Sequence, residues 1–237
     1  MQEYKIKSDG FKEIRKQILI RTIPILIVAI TVGILISSLN SSNKSADTST
    51  LAIIIPVILL FVGVGLYRGI NRQKTLFESY KITLTENLVK REQLNTPTIS
   101  VYFNDIQEIV QKSNRNIIIK GSDPKNVIIV PAQINNYSEF YEALSQIIPV
   151  RNRPSNSLFQ KYQFLLVILA LALLMLVYTV SNKTVVTISG SFLILILVWS
   201  LITIRNNKNI DIKTKRADWG VFIVIVLIYY FMYNKLI

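Results

Sequence analysis

FLLVILALALLMLVYTV (residues 164–180), SNKT (181–184) and VVTISGSFLILILVWSLITI (185–204) decide how this chain is read. Two apolar runs of 17 and 20 residues flank a four-residue polar break. At 1.5 Å per residue, each run makes about 25–30 Å of helix, close to the hydrocarbon thickness of a bilayer. Working outward, residues 22–39, 51–67 and 219–233 (extensible to 237) have the same character. The expected fold is therefore a multipass α-helical membrane protein of five transmembrane helices. The last run is the shortest, and snorkelling of Lys235 to the far interface extends it.

The charges follow the same partition. Of 27 Lys and Arg, residues 1–21 hold 6, residues 68–161 hold 13 and residues 205–218 hold 5. The intervening segments hold only Lys44, Lys183 and Lys235. An alternation of 24 against 3 is the positive-inside pattern, so the net charge of +13 reports orientation and anionic headgroups rather than nucleic acid. The expected localisation is a bacterial-type cell membrane, with the N-terminus inside and the C-terminus outside. A cleaved signal peptide is disfavoured, because the basic start and the 18-residue apolar run are both too long for one. Ser37 and Ser38 would be weak cleavage residues.

The chain has no Cys and no His. Disulfides, thiol nucleophiles, imidazole bases and the usual zinc and haem ligand sets are thereby excluded. No Asp or Glu lies within the five runs, where ion-coupled carriers and intramembrane aspartyl enzymes place theirs. Gly63-x-Gly65 lies inside an apolar run with no phosphate-binding lysine beside it, and Ser189-Gly190-Ser191 has no His to pair with. Asp105 and Glu108 are three residues apart but read as solvated surface. No enzyme, cofactor or metal is expected.

Residues 75–150 change character. Apolar and polar residues alternate at 80–84, 87–93, 99–103, 106–112, 116–120 and 126–131, which predicts six short antiparallel strands. Gly121-Ser122-Asp123-Pro124 is a turn. The period then becomes helical through Tyr137, Phe140, Tyr141, Leu144, Ile147 and Ile148, with Asn136 as N-cap, Glu139 three residues on and Pro149 as the stop. The division expected is 1–74 as cytoplasmic tail and transmembrane hairpin, 75–150 as a cytoplasmic domain, and 151–237 as a second membrane region.

The strand series, Asn104-Asp105-Ile106-Gln107-Glu108-Ile109-Val110, and Ile128-Ile129-Val130-Pro131 before an amphipathic helix together resemble the bacterial pleckstrin-homology-like domains. The resemblance covers about residues 70–150. It implies a bent β-sheet module closed by one C-terminal helix and used as a docking surface. The function expected is non-enzymatic: a docking module at the inner membrane surface that binds a protein partner or organises an assembly. The alternative is a channel or transporter component for an uncharged solute, with Pro56, Gly63 and Gly65 loosening the second helix. Three basic clusters are expected to contact anionic headgroups: Arg68, Arg72 and Lys74; Arg151, Arg153 and Lys161; and Lys208, Lys213, Lys215 and Arg216.

Overall fold

Alternating residues fold where the period of two places them, because each second side chain of a strand points to the same face. The computed structural model describes residues 1–40, 48–152 and 158–237, with side chains described for 1–36, 56–152 and 165–237. Strands β2 (Lys81–Leu84), β3 (Leu88–Glu92), β4 (Ile99–Tyr102), β5 (Ile106–Gln111), β6 (Ile117–Gly121) and β7 (Val127–Val130) occupy the six alternating stretches. Two further strands have no such signal. Residues Gln2–Lys5 form β1, antiparallel to β2 with Tyr4 opposite Ile82, and Arg151–Asn152 form β8, parallel to the end of β5. The strands make two four-stranded sheets, ordered β1-β2-β3-β4 and β7-β6-β5-β8.

The inward faces of both sheets and helix α3 (Tyr137–Ile147) share one core. Phe140 and Leu144, a turn apart on α3, are fully buried in it, and Tyr4 meets Phe140 edge to face at 5.0 Å. The helix begins differently from the expectation. Asn136 precedes it in the left-handed region (φ 48°), where its side chain cannot cap the helix, and it instead donates to the Glu139 carboxylate at 3.1 Å.

The remaining helices are α1 (Phe11–Asn40), α2 (Thr48–Glu78), α4 (Leu158–Thr179), α5 (Lys183–Asn206), α6 (Ile212–Ala217) and α7 (Trp219–Leu236). They correct the five-span expectation. Among the described residues three helical stretches are long and apolar enough to cross a membrane: 11–36, 183–206 and 212–236. The described apolar part of α4 is Leu165–Thr179, whose 15 residues reach only about 22 Å. On α2 the described apolar residues start at Pro56 and give way to Arg68, Arg72 and Lys74. Among the described residues, apolar run length therefore gives more spans than the helices do. Helix α1 also starts 11 residues earlier than the first run, so Arg21 and Pro24 lie in its interior.

The chain divides into two units. One, β-rich, contains Met1–Lys16, Arg72–Ser157 and Thr203–Ala217; the other, helical, contains Gln17–Asn71, Leu158–Ile202 and Asp218–Ile237. The alternating stretch 75–150 is thus joined by an N-terminal segment and by the segment between α5 and α7. In the helical unit a smaller buried cluster gathers Val177, Val186, Leu193, Ile228 and Met232. Lys235 does not simply snorkel there: its ammonium donates to the Tyr178 and Val180 carbonyls at 2.7 and 2.9 Å, capping α4.

Candidate functional site

Segment 203–217 is held inside the β-rich unit by groups that no local pattern announces. Asp211 precedes α6, and its Oδ1 accepts from the Lys213 and Thr214 amides, both at 3.1 Å. That is N-cap geometry, which fixes the carboxylate at the start of the short helix. Its other oxygen accepts from the Thr214 hydroxyl at 2.5 Å, and the Arg72 guanidinium pairs with Oδ1 while donating to Thr214 Oγ1 at 3.0 Å. Burial, with only 5 % of the residue exposed, works against its ionisation. The hydrogen bonds from Thr214 and the Arg72 charge outweigh it and hold the carboxyl below the usual carboxylate range.

Arg91 supplies a second tie. It is 1 % exposed, and its guanidinium donates to Gln93 Oε1 and Thr96 Oγ1 at 3.0 Å, Lys208 O at 3.3 Å and Pro97 O at 3.5 Å. Every one of these acceptors is neutral. Burial pushes its pKa down from the ordinary value, but nothing on that scale discharges a guanidinium at neutral pH. A buried cation dissolved in carbonyl and amide oxygens fastens loop 93–97 to the backbone of 208. Lys208 itself donates to Asn126 Oδ1 at 2.7 Å and lies 3.7 Å from Asp123, Asn209 donates to Val127 O at 3.0 Å, and the Ile212 amide donates to Asn95 O at 2.8 Å. Together these bonds bind 203–217 to the β3–β4 and β6–β7 loops and to the end of α2.

The same geometry sorts the cations assigned from sequence to headgroups. Arg72, Lys208 and Lys215 are engaged within the protein, Lys215 through the Arg205 carbonyl at 2.9 Å. Lys74 lies 3.7 Å from Glu78, and Arg151 4.0 Å from Glu108. Arg68, Lys213 and Arg216 are exposed without an acidic partner among the described residues. Arg153, and the side chain of Lys161, lie outside the described residues. Arg68 and Lys161 belong to the helical unit.

The edges of the two sheets are the other feature of chemical interest. The outward carbonyls of β7 are taken, that of Val127 by Asn209 and that of Ile129 by the Tyr80 hydroxyl at 2.9 Å. Beside β1, Lys5 exchanges bonds with Asn135 through its amide (2.7 Å) and its carbonyl (2.8 Å). The far end of β5 is covered by β8. β4 differs. The bond from the Phe103 amide to Asn87 O, continued by the register Val89 to Val101 and Arg91 to Ile99, turns the backbone groups of Ser100 and Tyr102 outward. The Tyr102 carbonyl is taken up by the short 3-10 turn Phe103–Asp105 that it caps, so among the described residues it is the outward amide and carbonyl of Ser100 that have no bond.

No family model, no curated protein and no solved structure matches this chain. The site therefore rests on its own geometry. The residues that sequence reasoning missed are Arg91, Asn95 and Asn209, with Asp211 in its structural role. Asp211 had one readable signal, an acid directly before a short helix; Arg91 reads only as one more cation in an alternating strand.

Proposed function

We propose that this chain is a non-enzymatic docking protein held in a bacterial-type cell membrane. Its β-rich unit is read as a pleckstrin-homology-like module at the inner surface, receiving an extended segment of a protein partner along β4. The observation that carries this reading is the β4 edge, where Ser100 presents an outward amide and carbonyl to which no described residue bonds. Main-chain bonds from an added strand supply affinity, and side chains at every second position supply selectivity. A β-sheet module followed by the amphipathic helix α3 supports the reading.

The membrane part rests on the three apolar helices. The basic segments 1–16 and 203–217 belong to one unit, and their charge favours the inner side. Helix α7 then carries the C-terminus away from that side. A tag following Ile237 is expected to be reached from outside intact cells, and labelling only after permeabilisation would refute that orientation.

Photocrosslinking in native membranes tests the docking. A photoreactive residue at Tyr102, exposed on the same strand, is expected to give a recurring protein adduct, and one at Ile129, beside the capped edge, is expected to give none. Ser100→Pro removes an outward amide but spares the bonds to β3, so it should abolish the adduct while the fold persists. Equal background at both positions would refute strand addition.

A further inference from the structure

One corner of the β-rich unit presents apolar and basic side chains together. Leu94 is 47 % exposed and Ile212 48 % exposed. The Ile212 amide bonds to the carbonyl of Asn95, the residue after Leu94, so the two side chains stand at the same corner. Asn95 takes a left-handed turn (φ 55°) that Asn tolerates well, which lifts the loop tip outward. On α6, Ile212 and Arg216 are four residues apart and share a face, with Lys213 beside them. Lys213 and Arg216 are exposed and have no acidic partner among the described residues. Asp211, the only acid in segment 203–217, is already engaged by Arg72 and Thr214.

Connectivity says what this corner meets. Only residues 207–211 separate helix 183–206 from helix 212–236, both long and apolar enough to cross a membrane. Five residues reach at most about 18 Å when extended, so a chain crossing with both helices rises about 9 Å and returns. Charge and chain length therefore favour a lipid surface over a second protein here.

We propose that the corner formed by Leu94, Ile212, Lys213 and Arg216 is a headgroup-level contact with anionic lipid. This rests on the membrane-held reading above and refines it: the fold turns Arg72, Lys208 and Lys215 inward and leaves Lys213 and Arg216 to face phosphate. The two aliphatic side chains settle into the boundary between headgroups and acyl chains, and the two cations pair with the phosphates around them.

The chain has no native cysteine, so single labels are clean. Full-length Leu94→Cys, Ile212→Cys, Tyr102→Cys and Val224→Cys variants carry a polarity-sensitive fluorophore. They are placed in nanodiscs of phosphatidylcholine alone or mixed with phosphatidylglycerol, with quenchers at headgroup or mid-chain depth. Labels at 94 and 212 are expected to be quenched several-fold more than the label at 102 by the shallow quencher. Phosphatidylglycerol should increase that quenching, and Lys213→Gln with Arg216→Gln should remove the increase. Quenching at 94 and 212 no greater than at 102, alongside a mid-chain-quenched label at 224, overturns the corner contact while the membrane reading stands. An unquenched label at 224 overturns both. Quenching indifferent to phosphatidylglycerol, or an increase that survives the double substitution, overturns the anionic selectivity.

Discussion

The two units use the same residue types to opposite ends. In the β-rich unit Ile82, Ile109, Ile117, Ile119 and Ile128 are wholly buried. In the helical unit Leu59, Leu60, Phe61, Ile188, Leu195, Phe222 and Ile223 stand exposed, and among the described residues five form a buried cluster. Hydrogen bonding divides the same way. Side chains of the β-rich unit bond across 139 residues (Arg72 to Asp211) or 117 (Arg91 to Lys208); in the helical unit Thr31, Thr179 and Thr187 bond back to the carbonyl four residues before them, and the longer-range bonds there come from Lys183 and Lys235 near the helix ends. One unit is specified by packing against itself in water. The other exposes apolar surface on helices that satisfy their own backbones, three of them long and apolar enough to cross a membrane.

The sharpest way to break that contrast is Phe140→Ala. Removing a fully buried ring at the α3 core is expected to cost about 3–5 kcal/mol. Hydrogen exchange of the full chain in detergent should then lose protection throughout β1–β7 and α3 and keep it in α7. Equal loss in α7 would mean the units do not fold separately.

Asp211→Asn is expected to cost about 1–3 kcal/mol, because Arg72 is left facing an amide and the Thr214 hydroxyl loses a charged acceptor. The readout is protease sensitivity of segment 203–217. The wild-type tie also has a pH sense. A carboxyl whose folded pKa is depressed stabilises fully above its unfolded value, near 3.9, and the contribution disappears as pH falls through the lower folded value. Wild type should therefore approach the Asn variant only in strong acid, and convergence near neutral pH would exclude Asp211 as the source.

Gly190→Ala probes the helical unit. A Cβ there would collide with Met232 Sδ, a flexible thioether end, so a cost of about 1 kcal/mol is expected, relieved by Met232→Ala. Thermal stability in detergent across the four-variant cycle measures it, and zero coupling would deny the contact. Smallest of all, Lys81→Gln should leave the melting temperature unmoved. Its bonds to Glu3 and Glu92 lie at the solvated sheet face, where ion pairs add little. A clear drop would mean that β1 is held by charge rather than by Tyr4.

Much of the β-rich fold is legible in the sequence because strand period, turn residues and the switch to helical spacing are local. β1 is not. Gln2-Glu3-Tyr4-Lys5 carries one apolar residue, and its partner strand lies 76 positions further on. β8 has two residues and no period at all. The apolar runs were visible, but their number as spans was not, since a run is bounded by chemistry and a helix by hydrogen bonds. The candidate site was the least legible. Arg72, Lys208 and Lys213 are alike as letters; only tertiary contact turns two of them inward and leaves the third facing out.

The split origin of the β-rich unit has a consequence for biosynthesis. Translation at roughly 5–20 residues per second separates β1 from β2 by about 4–15 s, and from segment 203–217 by roughly 10–40 s. A nascent chain ending near residue 152 has its sheets but lacks the Lys208 carbonyl for Arg91 and the Asp211 carboxylate for Arg72. The ribosome therefore delivers this unit open, and it closes only after the last apolar helix has begun to emerge.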